Sequence, residues 1–547
     1  MDRIRSTYGE NHIITEEYDP ALAAKCRNGV FVGRQKDEVL AFRGIPFAKP
    51  PVGELRWKAP VAPDDSDTVF EAYYNGKTPI QSEWPTEQAS YYPQGEDCLY
   101  LNIWKNHTDE SENKTVMVFL HGGSYGWGGT ADPMYDGTNL VTKQKDIILV
   151  TVGYRVGLMG FVDLSYLEGG EDFPDAPNLG ILDQIEALRW VQNNIAAFGG
   201  DPNNVTVFGE SAGGGSVSLL PIIPQAKGLF RRVIAESGSV ALTFSKEECR
   251  DFTKRLILAA GTRRMSDLMQ MTEEELKVIN APINAYNNFP MRDGRLIPEN
   301  PYQPYNDGVT KDIDMLIGTN SEEMNYWIGE VGGLIPFRFS IPVKFENDVR
   351  KLPLKDKQRV KRFMDLMRGH SIWKMARFYD ELMFRLPAVA QAQAHARCGG
   401  KVYMYYWTIP ASVRLRKACH AVELSYVFGN RTETIYTGHI ADEAVSDTVM
   451  QMWTNFARTG DPSVGSLIWE PYRGATRPTM IFSKSPYMMH DPLVARRKLL
   501  FPLLDHMINP SYTTLDYNVP FVRKAIIGGV ALLAGVSYLA YKLFKDE

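Results

Sequence analysis

Val205-Thr206-Val207-Phe208-Gly209-Glu210-Ser211-Ala212-Gly213-Gly214-Gly215 joins a short β-branched apolar run to a glycine-rich G-x-S-x-G turn. The mainly apolar run Val217 to Ile223 follows it. A strand before the motif and a helix after it are the context in which such a turn exposes a nucleophilic serine at the end of a sheet. Side chains two positions either side of Ser211 would collide in so tight a turn, hence the glycines, and the serine itself takes a strained backbone geometry. Free N–H groups at the start of the helix favour negative charge developing beside it. A bare G-x-S-x-G can be no more than a glycine-rich turn; the strand and helix around this one favour the nucleophile.

Outward from the elbow, the same buried-strand signature recurs at Val116–Leu120, Ile147–Val152, Arg232–Ala235, Met315–Gly318 and Val402–Trp407. Between the second of these and the elbow strand, Ile181, Ile185, Leu188, Val191 and Ile195 recur at helical spacing, closed by Gly199-Gly200. Strands alternating with helices imply an α/β fold with a mostly parallel central sheet flanked by helices. From about residue 243 to 393 charged helical segments and Pro-rich loops break the rhythm, and an insertion over the carboxyl ends of the strands is expected there.

A serine hydroxyl needs a base within hydrogen-bond reach. Of nine histidines, His12, His107, His439, His490 and His506 have nothing reactive nearby, and His370 and His395 fall on expected helices in or beside the insertion. His420, in Ala418-Cys419-His420-Ala421-Val422-Glu423-Leu424, follows a late strand and completes the chain order nucleophile, acid, base. The orienting acid is expected after Met315–Gly318, where spacing leaves Glu322 and Glu323 open. His121-Gly122-Gly123-Ser124-Tyr125 follows another strand, and its backbone N–H groups, with that of Ala212, can form an oxyanion hole, His121 anchoring the loop.

Further segments extend the pattern: Phe42-Arg43-Gly44-Ile45-Pro46-Phe47-Ala48, Glu96-Asp97-Cys98-Leu99-Tyr100-Leu101-Asn102, Gly157-Leu158-Met159-Gly160-Phe161, Asn178–Gln184 and Phe198-Gly199-Gly200-Asp201-Pro202. With the elbow, they make the chain resemble the type-B carboxylesterases from about Val30 to His506, a family that includes cholinesterases and neuroligins. The resemblance implies an α/β-hydrolase fold and a triad of Ser211, Glu323 and His420. It further implies an oxyanion hole from Gly123, Ser124 and Ala212, with Glu210 and Ser237 in support. Two departures stand out. The family's oxyanion loop usually reads H-G-G-G, and Ser124 replaces the third glycine, as in the non-catalytic neuroligins. Cys98 matches the second cysteine of the family's early disulfide, but no cysteine stands near Pro79-Ile80-Gln81 to pair with it.

Composition sets the outer bounds. In 547 residues, 60 basic against 65 acidic side chains leave a net charge of −5, with no basic surplus for nucleic acid. Five cysteines without an export signal agree with reduced thiols. There is no H-E-x-x-H, paired Cys-x-x-Cys or P-loop, so no metal or organic cofactor is expected. Sequons at Asn106, Asn113, Asn204 and Asn430 would matter only in a secretory compartment. The expected organisation is an N-terminal segment (1–29), a catalytic domain (30–506), a linker (507–523) and a C-terminal membrane anchor (524–547). In the last, Ala525–Tyr541 carries no charge between Arg523-Lys524 and Lys542, 17 residues or about 25 Å of helix. The expectation is therefore a serine ester hydrolase, its catalytic domain cytosolic and tethered by its tail, acting on small-molecule esters. A neuroligin-like binding protein with a silent site, and an amide or thioester hydrolase with the same triad, are the alternatives.

Overall fold

The strand Lys114–Leu120 is buried along its whole length, and its side chains divide by parity. Val116, Val118 and Leu120 enter one hydrophobic cluster, Met117 and Phe119 another on the opposite face. A strand apolar on both faces belongs inside a covered parallel sheet. The computed structural model describes residues 9–81, 93–109, 111–283, 289–328, 335–413 and 415–507, and in it this strand lies within an eleven-stranded sheet.

In chain order the strands of that sheet are β1 (Arg34–Lys36), β2 (Val39–Pro46), β3 (Tyr100–Asn106), β4 (Lys114–Leu120), β5 (Ile147–Val152), β6 (Gly200–Glu210), β7 (Arg232–Glu236), β8 (Asp314–Asn320), β9 (Val402–Trp407), β10 (Pro478–Phe482) and β11 (Tyr487–His490). Their spatial order is β11-β10-β9-β8-β7-β6-β4-β5-β3-β2-β1. From β5 through β10 every neighbour pair is parallel; β1, β2, β3 and β11 pair antiparallel at the two edges. Each strand expected from its apolar run is present, two of them, Ile147–Val152 and Val402–Trp407, with the expected ends.

The periodic segment before the elbow forms α1 (Leu179–Asn194), continued as a 3₁₀ turn over Ile195–Phe198 and stopped by Gly199 at φ 89°. After the elbow comes α2 (Ala212–Leu219). The expected insertion is divided rather than continuous, because β8 passes through the central sheet inside the range 243–393. Before β8, α3 (Lys246–Ala260), α4 (Met265–Gln270) and α5 (Glu273–Ile283) pack around Trp57, Leu158 and Leu164. A reciprocal capping box between Ser245 and Glu248 starts α3, and Gly261 in the left-handed region ends it. After β8 come α6 (Ile335–Lys351), α7 (Leu354–Leu366), α8 (Ser371–Tyr379), a π-helical turn (Asp380–Arg385) and α9 (Leu386–Arg397). His370 precedes α8 as its N-cap rather than lying on a helix. A last long helix, α10 (Glu443–Thr459), packs on the other face of the sheet and places Trp453 in the second cluster.

At the amino end, Ala23–Cys26 pairs antiparallel with Gly29–Val32, so ordered pairing runs across the boundary expected at residue 30. All five cysteines are free. Two of the four sequons are closed to modification, since Asn106 and Asn430 are buried and hydrogen-bonded within the chain. The expected anchor, 524–547, and all but the first residue of the expected linker lie outside the described residues. Among the described residues no helix is long and apolar enough to cross a membrane.

Candidate active site

Ser211 sits between β6 and α2 with φ 58° and ψ −118°, a strained conformation that costs about 1–3 kcal/mol and persists only because its surroundings enforce it. The enforcement is steric. A Cβ on Gly213 would stand 1.9 Å from Leu120 O, and one on Gly209 2.6 Å from the same oxygen, so the elbow turns directly against the end of β4. Ser211 N–H donates to Glu236 O at 2.8 Å, tying the turn to β7 as well.

The chain leaves β4 through His121-Gly122-Gly123-Ser124-Tyr125. Gly123 has φ 111°, Ser124 φ 53° and Tyr125 φ 56°, a run of positive φ that turns successive N–H groups to one side. The backbone N–H groups of Gly123, Ser124 and Ala212 donate to no described residue. His121 is buried beneath this loop, its ring stacked on Tyr154 at 4.3 Å and its Nδ1 2.8 Å from Gly122 O. Burial pulls its imidazole down to about 4, so at neutral pH it is an uncharged brace.

Beyond β9, the turn Ala418–Glu423 brings His420 over the sheet. Its Nδ1 lies 2.7 Å from Glu323 Oε2, and its backbone N–H donates to Glu323 O at 3.3 Å. The other oxygen of Glu323, Oε1, accepts from Asn320 N–H at 2.6 Å and from Ser237 Oγ–H at 2.7 Å. Glu322 points elsewhere, toward Arg377 and Ser321. An ionised carboxylate only accepts, so Nδ1 carries the proton and Nε2 presents its lone pair. Nε2 has no hydrogen-bond partner among the described residues. It lies 3.1 Å from Glu210 Oε1 but out of alignment with it.

A cavity of about 110 Å³ joins these parts. Gly122, Gly123, Ser124, Glu210, Ser211 and His420 line it together with Trp127, Asp132, Tyr135, Tyr326, Trp327 and Tyr436. Tyr326 and Trp327 bring aromatic rings to this lining, whereas Tyr403 to Trp407 fill the core. The sequence did not single out Glu236 and Glu423; Glu423 joins Glu210 and Glu323 beside the imidazole, and Glu236, also buried, lies near Glu423 and Glu210. Burial, then the neighbouring Glu423 and Glu323, push Glu210 well above the usual carboxyl range. Burial and Glu323 push Glu423 up to about 7, although Asn320 Nδ2–H donates to its Oε2 at 2.6 Å. Glu236, held by Trp453 Nε1–H at 3.1 Å, is also raised by burial. The available signal was an acidic residue inside an apolar run, Ile234-Ala235-Glu236 and Ala421-Val422-Glu423-Leu424. Among the described residues no cluster of His, Cys, Asp or Glu is arranged to hold a metal.

A mainly parallel sheet with a serine elbow after one central strand and a histidine–carboxylate pair delivered by later loops defines an α/β-hydrolase. Residues 20–497 match the carboxylesterase family model, and the chain belongs to that family and is a carboxylic-ester hydrolase. It is 36% identical to para-nitrobenzyl esterase of Bacillus subtilis over 493 residues, 87% of this chain and 97% of that protein. It is 33% identical to a medium-chain fatty acyl-CoA hydrolase precursor of Anas platyrhynchos, over 81% of this chain and 84% of that one. Among solved structures, the Geobacillus stearothermophilus carboxylesterase EST55 superposes with a TM-score of 0.78 at 33% identity, covering 87% of this chain and 99% of that one.

Proposed function

We propose that the chain hydrolyses carboxylic esters through an acyl-enzyme on Ser211, with His420 as general base and Glu323 orienting it. The observation that carries this reading is the 2.7 Å contact from His420 Nδ1 to Glu323, which leaves Nε2 facing the cavity that Ser211 also lines. Ser211 Oγ attacks the ester carbonyl carbon as its proton passes to Nε2. The carbonyl oxygen becomes an oxyanion received by the N–H groups of Gly123, Ser124 and Ala212. The carbon–oxygen bond to the alcohol breaks as Nε2 returns the proton to the leaving oxygen. Water then attacks the acyl-enzyme, giving its proton to Nε2, and the second tetrahedral intermediate expels Ser211 Oγ, which takes the proton back. Glu323 stabilises the transient imidazolium without taking the proton. Glu210, whose carboxyl burial pushes well above its usual range, stands beside the imidazole, and Ser237 holds the second oxygen of Glu323.

The test is a panel of short-chain aryl esters with an organophosphonate label. Ser211→Ala is expected to lose turnover and labelling together. Labelling that persists elsewhere on the chain sinks the assignment, and a wild-type protein inert to every ester and to the label favours a neuroligin-like binding role. Thioesters belong on the same panel, because one relative is named a fatty acyl-CoA hydrolase and the same triad serves either carbonyl.

The C-terminal segment supports a tethered enzyme: Ala525–Tyr541 carries no charge and is flanked by Arg523-Lys524 and Lys542. Full-length protein is expected in the membrane fraction, and a chain ending at residue 523 in the soluble fraction. Full-length protein that is soluble without detergent counts against the anchor.

A further inference from the structure

The helix that follows β8 does not run evenly. Between α8 and α9 it widens into the π-helical turn Asp380–Arg385, a rare local form that inserts one residue into a helix and is frequent at functional sites. The two ends of that turn face the imidazole and the acid. Phe384 packs against the His420 ring at 5.0 Å and stacks on Trp327 at 6.1 Å, and Trp327 itself lies 4.9 Å from His420. Asp380, only 4% exposed, accepts from the backbone N–H of Met324 at 2.7 Å, the residue after Glu323.

Arg377, one turn earlier, completes the arrangement. Its Nε lies 2.8 Å from Asp380 Oδ2, its Nη1–H donates to Ser321 O at 3.2 Å, and its Nη2–H donates to Asn325 Oδ1. The turn carrying Glu323 is thus held by Asp380 and Arg377 at residues 321, 324 and 325. The turn itself is pinned, since Arg385 pairs with Glu381 at 2.5 Å and Arg496 approaches Glu381 at 3.5 Å. Asp380 and Phe384 are four residues apart, a spacing that puts both on one face of the helix, so a single face meets the turn of Glu323 and the ring of His420.

We propose that Asp380 and Phe384 are positioning residues of the esterase reaction, Asp380 fixing the backbone beside Glu323 and Phe384 fixing the plane of the His420 ring. This rests on the reading of Glu323 and His420 as acid and base. Neither residue touches the reacting atoms, so their loss acts on kcat through geometry, not on substrate affinity. Displacing the acid also weakens its hold on the imidazolium formed in the reaction, which moves the acidic limb of the rate profile. The titratable and charged groups around this site are Glu323, Glu210 and Glu423 beside the imidazole and Arg377, Glu381 and Arg385 beside Asp380, and all stay in place in the Asp380 and Phe384 variants below.

The experiment uses full-length Asp380→Ala, Asp380→Asn, Phe384→Ala and Phe384→Leu, with kcat and KM for a short-chain aryl ester, the pH profile of kcat/KM, and thermal melting. Asp380→Ala is expected to lower kcat roughly 10- to 100-fold, the scale of a small misplacement of a reacting group. KM should stay near wild type and the acidic limb should move to lower pH. Asp380→Asn keeps an oxygen for Met324 N–H and is expected to recover most of the loss. Burial pushes Asp380 up to about 7, so the neutral amide is a close substitute. Phe384→Ala should lower kcat and Phe384→Leu restore it in part. A wild-type kcat and acidic limb in Asp380→Ala, or Asp380→Asn no better than Asp380→Ala, overturns the proposal. If Asp380→Ala does not fold, a wild-type kcat in Phe384→Ala or an unaltered kcat and limb in a folded Asp380→Asn and Phe384→Leu pair alongside it does the same. Glu323→Gln is measured in parallel: an unchanged kcat and acidic limb there refutes the acid–base reading itself, whereas an impaired Glu323→Gln beside wild-type Asp380 and Phe384 variants refutes only the positioning.

Discussion

Ser124 is the residue at which this chain leaves the usual glycine of its family, and it holds φ 53° in the oxyanion loop. A left-handed backbone costs a non-glycine residue about 1–2 kcal/mol, while glycine brings about 0.5–1 kcal/mol of extra chain entropy to lose on folding. Ser124→Gly is therefore expected to shift the melting midpoint only slightly upward and to keep turnover, because the oxyanion hole we propose uses only the N–H. A kcat loss of more than about tenfold would show that the hydroxyl takes part. The motif made this position legible, but not its backbone angle. Glu323 illustrates the opposite case. Spacing left two neighbouring carboxylates open, and only the approach of a loop 97 residues later brings one of them to 2.7 Å from the imidazole.

At the scale of elements, the elbow is over-determined. Gly213→Ala would drive a Cβ to 1.9 Å from Leu120 O at the end of β4, and neither backbone can yield without breaking the β4–β6 pairing. The substitution is expected to cost about 3 kcal/mol or more and to remove activity, read by thermal melting and ester turnover; a stable, active Gly213→Ala protein would contradict this account of the motif. The start of α1 depends on a buried ion pair. Asp183 accepts from Arg155 Nη2–H at 2.6 Å, from its Nε–H at 2.8 Å and from its backbone N–H at 3.0 Å, with both side chains almost fully buried. Asp183→Asn leaves the guanidinium charge uncompensated and is expected to cost about 3–5 kcal/mol in urea unfolding. A loss under about 1 kcal/mol, the range of an exposed pair, would disprove that role. The helix and strand patterns were legible because one strong period dominated each. The π turn was not, since inserting one residue into a helix alters no local preference that a single sequence displays.

For the whole molecule, folding buries ionisable groups whose protonation then opposes one another. His121, pulled down to about 4 from an ordinary 6.5, stays neutral in the fold while the unfolded chain takes up a proton. Stability from this group therefore falls as pH drops from about 6.5 to 4. Glu423, pushed up to about 7 from 4.5, keeps its proton in the fold while the unfolded chain releases it. Its contribution falls as pH rises from about 4.5 to 7. Glu423→Gln removes the second dependence, so the variant's melting midpoint should gain on wild type steadily between pH 5 and pH 7 and then level off; an offset independent of pH would exclude the raised carboxyl.

By itself the sequence determined what short-range sterics and periodicity control: the buried strands, α1 with its glycine stop, the elbow around Ser211 and the glycine loop after β4. These follow from whether a side chain fits a given φ and ψ and from which faces are apolar, and both are written within a dozen residues. Tertiary structure alone decided which carboxylate meets His420, that β8 divides the expected insertion, and that Glu210, Glu323 and Glu423 gather beside one imidazole. It also decided that a π turn sets Asp380 beside the turn of Glu323 and Phe384 against the His420 ring. Those outcomes depend on the distance between segments far apart in the chain and on the loss of water around them, and no local pattern encodes either.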